Sequence, residues 1–413
     1  MSPLTDNRSL RLPFVVLVLA AGTFSEFVIA GLLPEIADDL DVSVSQAGLL
    51  ITVFAASMIV GGPAMAIATL RLPRRSTLVL ALVVFSLGHA VAALSSSFAI
   101  VLAARVATGL ATSAFWCVGT VVAATAAGPA ATSRAMGVLM GGMNVASVAG
   151  VPLGSWLGQA SDWRGPFWVL AALSAGAAAV IGRFIPDDER SEVPSVRAEF
   201  AALRQGRLWL MLSTIVLFMG GSLAAYSYVS PLLTERAGIP AGAVPMVLTG
   251  YGVGALLGTT IGGRTGDRRP LATIITAAAT ITLVLLLLVP LSTNPVATVV
   301  LVMLMGVTGF APTPVFGALV VRFAESAPTL AIALSGSATN VGIAVGSWAA
   351  GIALASSLQQ TGPPLVGTVV AALSLIPLIA LALMRATHSE ASPPPGTAAD
   401  KPVESTTRDL GSA

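Results

Sequence analysis

Side chains that carry chemistry are scarce in this chain of 413 residues, which holds two histidines, one cysteine and three tyrosines and bears charge on only 10% of its positions. Each scarcity removes a class of function. The single cysteine, Cys117, has no partner for an intrachain disulfide and says nothing of the redox compartment. Histidines at positions 89 and 388 give no metal-ligand spacing, and no phosphate-cradling loop occurs. No metal, no cofactor and no enzymatic activity are therefore expected. The net charge of +2 and pI near 9.1 give no argument for nucleic-acid binding.

What the chain has instead is apolar length, with 55% of residues hydrophobic. Runs long enough to cross a bilayer recur at Pro13–Leu33, Gln46–Thr69, Thr77–Leu94, Phe98–Ala127, Ala135–Gly158, Pro166–Phe184, Leu208–Ser230, Ala243–Gly263, Leu271–Leu291, Pro295–Val321, Leu330–Ser356 and Leu365–Met384. These predict an all-α integral membrane protein with twelve spans. Continuous apolar runs exclude the alternating pattern of a β-barrel, and the first run is too long for a secretory signal.

Basic residues orient the spans. With a cytoplasmic N-terminus, eighteen of the 21 fall on the cytoplasmic side, only Arg164 and Arg236 lie outside, and Arg105 stays within a span. Both termini are expected in the cytoplasm of a cell with this protein in its plasma membrane. The chain divides into a cytoplasmic N-terminus (1–12), a six-span half (13–185), a polar linker (186–207) with a short surface helix around Arg197–Leu203, a second six-span half (208–385) and a tail (386–413) expected to lack order. An internal repeat supports the division. The sequence GVPLGSW at Gly150–Trp156 returns as GIAVGSW at Gly342–Trp348, offset by 192 residues, and RLPRR at Arg71–Arg75 returns as RTGDR at Arg264–Arg268, offset by 193. Duplicated halves of this kind are a transporter architecture, with the substrate site between them.

Inside the spans remain Glu26, Arg105 and, more weakly, His89, and intramembrane charge is costly and usually functional. At about 1.5 Å per helical residue, Glu26 and Arg105 reach a similar depth, so an ion pair between them is feasible. Gly22 and Ala30 flank Glu26 on its helix face and turn it toward other helices rather than lipid. A carboxyl poised between burial and a nearby arginine can take and release protons. A static Glu26–Arg105 bond that only joins helices is the alternative, and His89 is expected to be packed and neutral.

The stretch GTFSEFVIAGLLPEIADDLDVSVSQAGLL, Gly22 to Leu50, resembles the opening signature of the major facilitator superfamily, in its twelve-span drug:proton antiporters. It is similar to actinobacterial chloramphenicol-resistance exporters and their arabinose-efflux-like relatives, over Pro13 to about Arg385. The resemblance implies twelve transmembrane helices in two pseudo-symmetric six-helix bundles. In RVATG, Arg105 and Gly109 match an element linked to proton coupling. In GVPLG, Gly150, Pro152 and Gly154 match the bend that marks exporters, and DWRGPFW fits the approach to the sixth helix. In GGRTGDR, Arg264, Asp267 and Arg268 match a gating loop whose first-half copy, with Arg71 and Arg75, departs from the pattern. Leu70 replaces the usual aspartate and Pro73 the usual glycine, so the acidic half of that latch is missing.

The implied activity is proton-coupled efflux of small lipophilic drugs by a monomer, with membrane lipid as its surroundings and chloramphenicol a candidate substrate. Glu26 and Arg105 would couple the proton. The implied binding helices offer Phe27, Phe115, Trp116, Met143, Asn144, Tyr226, Tyr228, Phe310 and Asn340, each of which could equally be interhelical packing. Transport of a sugar or other metabolite by the same fold is the alternative, disfavoured by the few polar groups in the spans. A sensor without transport is the third reading.

Overall fold

The computed structural model describes residues 28–69, 73–127, 152–184, 205–324 and 328–390, and over these ranges the chain is helical, without strands. The principal helices are α1 (Leu33–Asp39), α2 (Leu49–Thr69), α3 (Arg74–Leu94), α4 (Phe98–Ala127), α5 (152–160), α6 (Arg164–Phe184), α7 (Gly206–Ser227), α8 (Val244–Arg268), α9 (Pro270–Leu291), α10 (Pro295–Phe310), α11 (Thr313–Ala324), α12 (Pro328–Leu354), α13 (Gly362–Leu373) and α14 (Leu375–Glu390). Among the described residues, ten stretches are long and apolar enough to cross a membrane. They match the second to fourth and sixth to twelfth apolar runs. Most of the first run, most of the fifth, the N-terminus, most of the linker and the end of the tail lie outside the described residues.

Three boundaries differ from the sequence expectation, each for a local reason. The eighth helix continues through RTGDR to Arg268, so Arg264, Asp267 and Arg268 stand on its last turns rather than in a loop. Basic residues there complement the helix dipole, and Pro270 disfavours helical geometry at Arg269. The tenth run breaks between Phe310 and Thr313. Pro312 and Pro314 lack amide hydrogens, and the Pro314 ring crowds the carbonyl of Phe310. The last helix runs to Glu390, into the segment expected to be irregular from Thr387.

Helix α2 packs on α4, α3 on α4 and α6, α7 on α12 and α13, and α8 on α10. The α8–α10 contact depends on glycines four residues apart. A β-carbon at Gly254, Gly258 or Gly262 would collide with the backbone of Met303, Val307 or Ala311, so the two helices approach closer than side chains permit. Outward-facing positions stay apolar: Leu80, Leu87 and Leu94 of α3, seven residues apart, are 57%, 59% and 74% exposed. A stripe of that kind suits lipid and would be a liability in water.

Residues before 185 and after 205 meet through α2 and α12 and at the end of the molecule that carries Asp39 and Gln360. There Ser45 Oγ donates to the Gly351 carbonyl at 2.6 Å, the Thr52 and Ser347 hydroxyls lie 2.8 Å apart, Tyr228 Oη donates to the Ser347 carbonyl at 3.2 Å, and Gln159 Nε2 donates to the Ala241 carbonyl at 2.7 Å. The repeated motif has the same burial pattern in its two copies. Gly154 and Gly346 are buried, Ser155 and Ser347 are fully buried, and Trp156 and Trp348 are 59% and 54% exposed.

Candidate functional site

Arg105 is 1% exposed, two turns into α4 and facing α2. Its Nε donates to the Leu50 carbonyl at 3.3 Å, and its guanidinium carbon lies 4.1 Å from the centre of the Phe54 ring. The planar cation thus sits on an aromatic face inside the protein, where desolvation strengthens the attraction. Gly109, one turn along, makes this possible. A β-carbon there would stand 2.9 Å from the Phe54 carbonyl oxygen and 2.8 Å from Ser57 Cβ, so only glycine lets α2 come this close. The RVATG pair therefore acts as one unit, in which the glycine sets the helix separation and the arginine uses it.

His89 is buried, with Nδ1 placed 2.8 Å from the Phe85 carbonyl oxygen and its ring 4.2 Å and 5.7 Å from those of Phe85 and Phe167. It is packed and hydrogen-bonded, as expected. Arg75 donates to the Gly182 carbonyl and ties the start of α3 to the end of α6. Glu26, Phe27, Met143, Asn144, Gly150 and Arg71 lie outside the described residues, and so does any Glu26–Arg105 contact. Pro152 and Gly154 are buried in α5.

The remaining aromatic and amide candidates separate into four places. Phe115 and Trp116 pack with Leu78, Ala178 and Ile181 between α3, α4 and α6. Tyr228 is at the Asp39 end, in the contact with Ser347. Tyr226 and Phe310 come together through Tyr251, whose ring stacks on Tyr226 at 4.3 Å and meets Phe310 edge-on at 6.1 Å. Tyr251 was not singled out in the sequence, although it is the third of only three tyrosines and sits between Gly250 and Gly252. Its hydroxyl is buried without a hydrogen-bond partner among the described residues. Asn340 donates Nδ2 to the Gly336 carbonyl at 3.0 Å and leaves Oδ1 buried and without a partner among the described residues. The Tyr251 hydroxyl on α8 and the Asn340 carbonyl on α12 are thus each left unsatisfied among the described residues, and such groups can serve the polar edge of a ligand.

Glu35 was also passed over. It lies in α1 with Oε2 buried and without a partner among the described residues, and burial pushes its carboxyl above the usual carboxylate range. No group of three or more histidine, cysteine, aspartate or glutamate residues that could hold a metal ion occurs among the described residues.

Comparison with known proteins places the chain. A family model for the Major Facilitator Superfamily matches residues 15–329 and 210–412. A chloramphenicol resistance protein of Streptomyces lividans is 36% identical over 352 residues, covering 84% of this chain and 90% of the relative. A probable sugar efflux transporter of Mannheimia succiniciproducens is 28% identical over 380 residues, covering 92% of this chain and 95% of the relative. Among solved structures, a bacterial homolog of the human lysosomal transporter Spinster superposes with a TM-score of 0.71 at 15% identity, covering 94% of this chain and 98% of that one.

Proposed function

The chain belongs to the Major Facilitator Superfamily, a family of transporters rather than enzymes, and on that premise we propose that it exports small lipophilic compounds across the plasma membrane in exchange for protons. The observation that carries the reading is Arg105, a fully buried cation held on Phe54 and Leu50 inside a span. A cation kept at such cost is best explained by an anionic partner whose charge changes during the cycle. Glu26 is that partner and the proton carrier.

In this reading the first and fifth apolar runs complete twelve spans in two six-helix bundles, the protein works as a monomer, both termini are cytoplasmic, and the Asp39 end faces outward. The hydrogen bonds at Ser45, Thr52, Tyr228 and Gln159 then close the outer side. When that side opens, Glu26 takes a proton, its attraction to Arg105 weakens and substrate leaves. The protonated carrier rocks inward, releases its proton and accepts new substrate, each state being selected by differential binding. One net charge moving inward per cycle supplies about 2.3 kcal/mol per 100 mV. The relative named for chloramphenicol resistance makes chloramphenicol the first substrate to try.

A second reading is efflux of a sugar or similar hydroxylated metabolite. The sugar efflux relative favours it, as do the unsatisfied Tyr251 hydroxyl and Asn340 carbonyl, which could serve substrate hydroxyls.

The deciding experiment is flux in proteoliposomes of defined orientation, with chloramphenicol and a labelled sugar as alternative cargo, comparing wild type with Glu26→Gln. Chloramphenicol flux that follows an imposed pH gradient in wild type and ignores it in the variant supports the proposal. Sugar flux alone selects the second reading, and equal pH-driven flux in both proteins removes Glu26 from the coupling step.

A further inference from the structure

Glu35 raises a question the coupling pair does not answer. It follows the first apolar run, nine residues after Glu26, on the third position of α1. The residue is half-buried and its own backbone N–H bonds the carboxyl, while its Oε2 is sealed from solvent with no hydrogen-bond donor among the described residues. The two segments packed most closely on α1 are Val44–Ala47 and Val229–Pro231, and neither contains an ionisable side chain. On α1 itself, Asp38 and Asp39 are exposed, and Asp39 is engaged by Arg164 at 2.6 Å. Beyond Val229–Pro231, Tyr228 donates to Ser347, Gln360 donates to Glu235, and Arg236 donates to the Ser292 hydroxyl at 2.6 Å and the Val289 carbonyl at 3.3 Å. Among the described residues no cation is placed to balance an ionised Glu35.

The location gives this consequence. Val229–Pro231 belongs to the second half of the chain and adjoins Tyr228, so the α1 contact with it is part of the closure between halves. A neutral carboxyl tolerates that contact. An ionised one, half-buried and with Oε2 given no donor among the described residues, is disfavoured there and gains if the halves part and water reaches it.

We propose that Glu35 is a second proton-binding group, separate from Glu26 and loaded from the outer face, and that its proton is what permits the outer end to close. The assignment of that end as the outer face rests on the transport reading above; the link between proton and closure does not. In an antiporter the arrangement would prevent an unprotonated carrier from closing outward, and so oppose a futile return without a proton.

The sign follows from linkage. The closed form raises the Glu35 value, so closure is favoured in acid and is lost as pH rises through that raised value. One proton can change the open-to-closed ratio by at most about tenfold per pH unit.

The test needs no substrate. Spin labels at Ser96→Cys and Leu358→Cys, at the same end on opposite halves, report the separation by pulsed electron resonance in lipid nanodiscs on a Cys117→Ala background. In wild type the long-distance population should grow with rising pH. Glu35→Gln should keep the short distance of acidic wild type at every pH, which also shows that it is folded. Glu35→Asp should restore the response with a shifted midpoint, and Glu26→Gln should respond as wild type does. A pH-independent wild type, a Glu35→Gln protein that titrates normally, or loss of the response in Glu26→Gln would each overturn the proposal. A titrating gate in a protein that moves no chloramphenicol would leave Glu35 in place and remove the drug-efflux reading, while chloramphenicol flux with a gate indifferent to Glu35 would do the reverse.

Discussion

The Tyr228 ring is wedged between Gly48 and Gly351, one from each half of the chain: a β-carbon on Gly48 would stand 2.5 Å from Tyr228 Cζ, and one on Gly351 would stand 2.5 Å from the hydroxyl oxygen. The aromatic side chain fills space that two absent side chains leave, and its hydroxyl reaches the Ser347 carbonyl at 3.2 Å. Closure at this end thus depends on shape as well as on hydrogen bonds.

Gly48→Ala should therefore open the Asp39 end, because the tyrosine must leave its slot to admit the methyl group. Tyr228→Phe removes only the hydrogen bond, worth about 1 kcal/mol, and should shift the open-to-closed ratio about fivefold. The Ser96–Leu358 label distance would order the variants, with wild type most closed, Tyr228→Phe intermediate and Gly48→Ala most open.

The repeat makes a sharper comparison. Ser347 exchanges a hydrogen bond with Thr52, whereas its counterpart Ser155 is equally buried but has no partner among the described residues, and lies against Gly31, itself close to Leu248. Removing a satisfied hydroxyl strands its partner; removing an unsatisfied one relieves a desolvated group. Ser347→Ala should lower the melting temperature in detergent, and Ser155→Ala should leave it unchanged or raise it. Equal losses would mean that Ser155 bonds to something outside the described residues.

Much of this architecture was legible in the sequence because bilayer spans write themselves as uninterrupted apolar length. The run Phe98–Ala127 returns with the same ends in α4, and the burial of Arg105 followed from its position inside that run. Lateral neighbours were not legible. Nothing in the spacing links Arg105 to Phe54, or Tyr251 to Tyr226 and Phe310, since those contacts depend on how helices far apart in sequence are laid together. The break at 311–312 was masked because the residues on both sides remain apolar. Glu35 is not legible as a buried group because it follows the end of an apolar run, and one segment that packs on its helix comes nearly two hundred residues later.

Neighbouring glycines on α8 should respond in opposite ways to the same substitution. A β-carbon on Gly262 would lie 2.5 Å from the Ala311 carbonyl carbon and 2.9 Å from its Cα, while one on Gly263 meets nothing within 4 Å. Backbone cannot step aside as a side chain can, so Gly262→Ala should cost at least about 1–3 kcal/mol and reduce the yield of folded protein. Gly263→Ala should be neutral or slightly stabilising through better helix propensity. Thermal unfolding in detergent separates the two.

Acid should weaken one contact at the Asp39 end. The Arg164 guanidinium, 2.6 Å away, holds the Asp39 carboxyl below the usual carboxylate range. A depressed acid contributes stability above its unfolded value and loses it as pH falls through the folded one. Because Asp39 is exposed, the effect should be small. Asp39→Asn should melt slightly below wild type at neutral pH, and the gap should close in acid, the opposite sense to the closure attributed to Glu35.

Arg105 offers the most direct test of coupling. Arg105→Lys keeps the charge but loses the planar face that lies on Phe54 and the fixed Nε that meets Leu50. If charge alone mattered, lysine would sustain pH-driven flux. If the stacked geometry holds the cation in place for its partner, lysine should fail almost as fully as alanine, with at least a tenfold loss expected from a cation–π contact and a hydrogen bond of roughly 1 kcal/mol each. Phe54→Leu then becomes informative, since it removes the aromatic face and leaves the arginine. Partial flux in Phe54→Leu, with none in Arg105→Lys or Arg105→Ala, would assign the ring to positioning and the guanidinium to coupling. Full flux in Arg105→Lys would reduce the stacking to packing.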